Sequence, residues 1–152
     1  MNLKFRKATR EDLPEIVRML ADDFLGSRRE RFENPLPESY TKAFEEIEAD
    51  KNNELIVAEL DGAVVGTLQI TFTPSISYQG GKRSTVESVR VDAKYRARGI
   101  GRELMLFAIE RARAENCVSM QLTTNTERMD AHRFYENLGF KKSHLGMKLS
   151  LK

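Results

Sequence analysis

Leu3 to Lys7 alternates apolar and basic residues, the period-two pattern of a short strand. Thr9 stands three residues before Asp12, a carboxylate variant of the capping box. It opens the series Leu13, Ile16, Val17, Leu20, Phe24, which has helical spacing. Gly26 is expected to end that helix. Residues 27–37 are charged and hold Pro35 and Pro37, so they read as a loop. Tyr40, Phe44 and Ile47 then share one side of a second helix. The period changes at Leu55-Ile56-Val57-Ala58, a strand, and Asp61-Gly62 is a strong hairpin signal. Val64 to Phe72 returns as a strand in which Gly66 weakens the pairing or marks a bulge. Residues 74–82 predict a loop, and Thr85 to Val91 a further strand. Residues 99–114 predict a helix, apolar nearly all round at Leu104-Met105-Leu106-Phe107-Ala108-Ile109 and therefore packed on more than one side. Val118 to Leu122 is the next strand. Ala131, Phe134, Tyr135 and Leu138 line a last helix that Gly139 caps, and Phe140 to Leu151 is expected to supply one or two final strands. Four helices around a mostly antiparallel sheet make an α/β (layered α+β) domain.

Composition narrows the class. With 152 residues and no repeat, low-complexity tract or linker, residues 1–152 read as a single domain. Folding at this size buries roughly two-thirds of the unfolded chain's surface, so no disulfide or structural metal is required. The balance of 25 Lys and Arg against 23 Asp and Glu leaves a formal charge of +2. That total argues against nucleic acid and acidic membranes as partners. One cysteine, Cys117, excludes an intrachain disulfide framework, and two histidines, His132 and His144, give no basis for a metal centre. No apolar run is long enough to span a bilayer, and Met1 to Arg6 lacks the core of a signal peptide. A cytoplasmic location is expected.

The chemistry concentrates between Val89 and Leu104, where a strand enters a turn with two glycines and a helix leaves it. The first helical turn has free N–H groups and the positive end of the helix dipole. Gly99 and Gly101 remove the side chains that would hold an anion away, and Arg96, Arg98 and Arg102 add positive charge. A Walker A loop needs four residues between its glycines and then Gly-Lys-Ser/Thr, which the segment lacks. A dinucleotide fingerprint needs a small residue where Leu104 stands. Two readings are left: a cradle for phosphate or pyrophosphate, or a helix N-terminus that merely has basic residues nearby.

Arg96-Ala97-Arg98-Gly99-Ile100-Gly101 matches in full the Arg/Gln-x-x-Gly-x-Gly/Ala signature of the GNAT superfamily of acyl-CoA-dependent N-acetyltransferases, which the chain resembles. Ala131-His132-Arg133-Phe134-Tyr135-Glu136-Asn137-Leu138-Gly139-Phe140 resembles that family's later helix, which ends in Phe-Tyr-x-x-Leu-Gly-Phe. Arg6 to Leu13 is similar to the first strand and helix of many members. The resemblance covers nearly the whole chain. It implies a mixed, mostly antiparallel central sheet of about six to seven strands flanked by about four helices. Acetyl-CoA would be the cosubstrate, with its pyrophosphate on main-chain amides from Ala97 to Arg102. Its pantetheine arm would run along Val89, Arg90 and Val91, in a cleft where that strand splays from the one around 118–122. Ala131, Phe134 and Tyr135 would also belong to the cofactor site. Many members carry Asn three residues before that alanine, where Arg128 stands here, so Asn125 is the substitute.

Attack of an amine on a thioester releases a thiolate, which a nearby donor helps to protonate. The resemblance gives that role to Tyr135, although its apolar helical face also suits a core tyrosine. A lysine-like amine of pKa about 10.4 is some 3.4 units from neutral at pH 7, on the order of 4.6 kcal/mol. Glu87 is the candidate base acting through water, or the group that binds the cationic acceptor. In a regular strand it shares a face with Val89 and Val91, and a bulge would break that parity. The expected activity is direct acetyl transfer to a small-molecule or peptide primary amine in a ternary complex, without metal and with a homodimer as the expected assembly. Arg28-Arg29-Glu30-Arg31 is a solvated loop or a site for an anionic group on the acceptor. The alternative is a noncatalytic acyl-CoA-binding or regulatory module of the same fold.

Overall fold

Each strand–helix alternation follows from a change of period in the sequence. The computed structural model describes residues 2–126 and 128–152. They form two compact units, Met1–Gln121 and Leu122–Lys152.

The first unit is built on β1 (Leu3–Lys7), β2 (Asn53–Leu60), β3 (Ala63–Thr73), β4 (Arg83–Val91) and β5 (Ser119–Gln121), paired in that order. The first three ladders are antiparallel, and β5 lies parallel to β4. Two bulges punctuate the sheet. One falls at Ala58/Glu59, where Val65 is the extra residue on β3 beside Gly66. The other falls on β4, where Ser88 takes a φ of 56°. The β2–β3 turn has Asp61 at φ 49° and Gly62 at 86°, the left-handed pair that a two-residue hairpin requires.

The helices of this unit are α1 (Leu13–Leu20), α2 (Gly26–Arg29), α3 (Glu38–Ala49), α4 (Ser77–Gly80) and α5 (Ile100–Ala114). Register separates the two faces of the sheet. On one, Phe5, Ile56, Leu68, Ile70 and Val86 meet α5: Phe107 stacks on Phe5 at 5.0 Å between centroids, and Arg111 grips the buried Glu54 at 2.9 and 2.6 Å. On the other, Val57 and Leu55 pack with Leu13, Ile16 and Leu20 of α1, Phe44 of α3 and Ala8. Asp12 accepts the Thr9 N–H at 2.7 Å and two bonds from Arg6 at 2.7 and 3.0 Å, which fixes the entry into α1.

The second unit contains α6 (Met129–Asn137). Its end is a complete Schellman motif: Phe140 N–H bonds the Tyr135 carbonyl, Gly139 N–H bonds that of Glu136, and Gly139 sits at φ 100°.

Several expectations need correction. Gly26 does not end the first helix, which stops at Leu20; it opens α2, because a Cβ there would lie 1.9 Å from the Leu20 carbonyl oxygen. Phe24 lies beyond α1 and is half exposed. The 27–37 and 74–82 loops each hold one short turn, α2 and α4, and in α4 Tyr78 and Gln79 are left-handed. Among the described residues the sheet has five strands rather than six or seven. The 140–152 segment has the alternation of a strand but no ladder partner, so it contributes none. No helix among the described residues is long and apolar enough to cross a membrane.

Candidate functional site

β4 runs toward a turn whose geometry is set by Asp92. Its N–H donates to the Val65 carbonyl at 2.8 Å, and its buried carboxylate accepts the Lys94 N–H at 3.0 Å and the Arg18 guanidinium at 2.5 Å. Burial works against the charged carboxylate, but the Lys94 amide and the Arg18 guanidinium outweigh it and hold the group below the ordinary carboxylate range. Arg18 belongs to α1, so one ion pair ties that helix to the end of β4.

Beyond Asp92 the backbone makes a short 3-10 turn, Ala93–Tyr95, then takes left-handed conformations at Ala97 (φ 63°) and Gly99 (φ 82°) before entering α5. A non-glycine residue in that region costs about 1–2 kcal/mol, so the packing on either side maintains Ala97 there. Gly99 is the N-cap of α5, and the space where its Cβ would stand is open. Ile100 is fully buried and anchors the first helical turn, while Arg96, Ala97, Arg98, Gly99 and Arg102 are exposed and Gly101 is half-buried. Arg98 lies over the Tyr95 ring at 5.2 Å, and Arg96 Nε donates to the Val91 carbonyl at 3.2 Å. The result is a helix N-terminus whose first-turn amides have no partner within the helix, with Arg96, Arg98 and Arg102 exposed around it. Its residues suit the diphosphate of a coenzyme.

The parallel β4–β5 ladder covers only Arg83↔Ser119 to Thr85↔Gln121, while β4 continues six residues further. Val89 and Val91 therefore lie beyond the part of β4 that is paired with β5, while β3 still lies along its other edge. Both carbonyls accept bonds from the chain itself, Val89 from Arg90 Nη1 at 2.8 Å and Val91 from Arg96. A carbonyl has two lone pairs, so each can still receive an amide from a ligand.

The bulge at Ser88 changes the face on which Glu87 lies. Glu87 pairs with Gln69 and Arg90 with Thr67, so these four share a face, and Glu87 does not share one with Val91 as a regular strand would have it. That face is the one covered by α1 and α3 further along the sheet, and Glu87 itself is exposed.

In the second unit, Tyr135 is half-buried between two rings, edge-on to Phe134 at 5.1 Å and to Phe140 at 5.8 Å. Ala131 and Phe134 are also half-buried, and Asn125 is exposed with its carbonyl accepting the Arg128 N–H at 2.9 Å. His132 is half-buried, with a ring nitrogen 3.4 Å from the Asn125 carbonyl. Cys117 is only partly buried, and burial pushes its thiol up, which disfavours the thiolate. Sequence reasoning missed Asp92 and Arg18. An Asp directly before a turn is a cap signal, but nothing in sequence spacing links positions 18 and 92.

A strand that ends in a left-handed glycine turn and feeds a helix N-terminus is the arrangement that the resemblance implies for an acyl-CoA-dependent transferase. The model of the Acetyltransferase (GNAT) family matches residues 15–140, and the chain belongs to that family. It is 28% identical over 142 residues to an aminoalkylphosphonate N-acetyltransferase of Salmonella typhimurium, covering 93% of this chain and 86% of that one. A glucosamine 6-phosphate N-acetyltransferase of Trypanosoma brucei brucei is 30% identical, but over 59% of each chain only. Among solved structures, one described as a transcriptional regulator from Bacillus halodurans C-125 is 54% identical with a TM-score of 0.96, covering 99% of this chain and all of the other.

Proposed function

We propose that the protein transfers an acetyl group from acetyl-CoA to a primary amine by direct attack in a ternary complex. The observation that carries this reading is the turn from Asp92 to Gly101: left-handed residues at 97 and 99, a 15-residue helix behind them and three arginines around them. Acetyl-CoA supplies the activated thioester. The amides of residues 97–102 bind its diphosphate, and the main chain of Val89 and Val91 orients its arm. Asn125, Ala131 and Phe134 would contribute to the arm's other contacts, and the Tyr135 hydroxyl donates a proton to the leaving sulfur.

Glu87 acts on the acceptor. It is exposed, on the Gln69 face of the sheet, which favours binding an ammonium group and passing its proton to water over service as a buried base. The acceptor we propose carries an anionic group beside its amine. Two relatives of known activity are named for substrates of that kind, a phosphorylated aminosugar and an aminoalkylphosphonate. In α2, Arg29 is paired with Glu30, and Arg31 just beyond it with Glu33. Arg28 lies over the Phe24 ring at 5.9 Å and is the arginine of that run best placed to meet an anion. We take the whole of 1–152 as one functional domain, since the family match runs through residue 121, and a cytoplasmic setting suits the reaction.

A second reading, an acyl-CoA-binding regulatory module without turnover, is favoured by the description of the 54% identical structure as a transcriptional regulator. Free CoA release, followed across phosphorylated, phosphonate and carboxylate-bearing amines, tests the choice. Amine-dependent release supports the transferase; tight acetyl-CoA binding with no release from any amine supports the module.

A further inference from the structure

Gln69 stands directly opposite Glu87 across the β3–β4 ladder, which puts their Cβ atoms about 4.5–5.5 Å apart on one face of the sheet. The Ser88 bulge creates that pairing, as bulges beside sites re-aim side chains. Glu87 precedes Val89 by two residues, about 7 Å of strand, so an arm that follows Val91 and Val89 from the turn leads to this pair. Gln69 is half-buried, and its Nε2 donates to Asn53 Oδ1 at 2.9 Å. Asn53 is half-buried too, on β2. With its amino group committed to Asn53, the Gln69 amide has its carbonyl oxygen left to meet a ligand. Among the described residues nothing donates to Gln69 Oε1, and the Glu87 carboxylate makes no hydrogen bond or ion pair.

We propose that Gln69 determines which amines the site accepts. Its Oε1 and the Glu87 carboxylate together receive the N–H groups of an unsubstituted ammonium, and Asn53 is the positioning residue that holds the Gln69 amide in its accepting orientation. The proposal rests on the transferase reading for calling the bound amine the acceptor. Two acceptors side by side, one of them charged, suit a cation with several N–H donors and repel an anion. The two groups also divide the work. The attraction of Glu87 for a positive charge is Coulombic and hardly depends on what the nitrogen carries. A neutral amide oxygen gains only from an N–H, and a ligand that covers it without donating leaves it unsatisfied. Gln69 therefore separates a primary ammonium from a fully methylated one of equal charge, which Glu87 alone does not.

The test is calorimetric titration of the full chain, saturated with coenzyme A, with aminoethylphosphonate and with its N-trimethyl counterpart, which keeps the charges and has no N–H. The wild type is expected to bind the primary amine about tenfold more tightly or better, the worth of one hydrogen bond to a charged group. Gln69→Met, which keeps the side chain's length, and Asn53→Leu are expected to reduce the difference to about twofold. Asn53→Asp, which can only accept and so keeps the Gln69 amide in place, retains it. A wild type that binds the two probes equally, or binds neither, overturns the proposal whether or not any variant folds. So does a difference that survives in Gln69→Met, or one that Asn53→Asp loses as fully as Asn53→Leu. Coenzyme A release on the same proteins separates this outcome from the transferase reading. Release by the wild type with an unchanged amine KM in Gln69→Met removes Gln69 and leaves the transferase standing; discrimination that depends on Gln69 without any release does the reverse.

Discussion

Two kinds of side chain carry the account at the residue level: those proposed to move protons and those that fix the backbone around them. Tyr135→Phe keeps both ring contacts and removes only the hydroxyl. Turnover is expected to fall by about 10²-fold or more, the usual worth of a positioned acid, with acetyl-CoA affinity within about twofold of wild type. Steady-state kinetics beside calorimetric titration separates the two, and an unchanged kcat would remove Tyr135 from the reaction. Asp12 and Asp92 do positional work. Burial opposes the charge of each, but Arg6 and the Thr9 amide hold Asp12 low, as the Lys94 amide and Arg18 do Asp92. A carboxyl lowered in the folded state stabilises the fold fully above its unfolded pKa, about 3.9, and loses that contribution as pH falls through its lower folded value. Asp12→Asn is therefore expected to be less stable than wild type at pH 7, with the difference shrinking below about pH 4. Urea denaturation from pH 2.5 to 7 measures it; a difference independent of pH would contradict the assignment.

Helix α5 and the turn before it are the elements on which the proposed binding depends. Gly99 has room for a side chain but a backbone, φ 82°, that a branched residue resists. Gly99→Val is expected to raise the acetyl-CoA dissociation constant at least tenfold, because the first-turn amides must shift to relieve the strain. Leu104, fully buried under the sheet, tests the helix from its other side: Leu104→Ala should cost about 2–5 kcal/mol of stability by chemical denaturation. These elements were plain in the sequence because period, glycine and charge changed together at the same residues. The capping role of Thr9 and Asp12, the Asp61-Gly62 hairpin and the Gly139 cap were legible for the same reason: each is a local device. Gly26 was misread because a glycine after a helical pattern is usually a cap, and only the fold shows the Leu20 carbonyl pressed against it. The Ser88 bulge left no mark in the residue types, so the face of Glu87 could not be read.

Across the whole molecule, helices layered on a mostly antiparallel sheet were readable from the two periodicities, but which helices share a face was not, since that is set by register between strands far apart in sequence. The strand count was not, because alternation at 145–151 describes what a segment wants and not whether its own chain supplies a neighbour. The central claim is that the amides of the 97–102 turn hold a diphosphate. It is tested most directly by calorimetric titration of the wild type with coenzyme A and with pantetheine, which lacks that group. The account predicts that coenzyme A binds at least tenfold more tightly and that Gly99→Val removes most of the difference. Equal affinities in the wild type would contradict it.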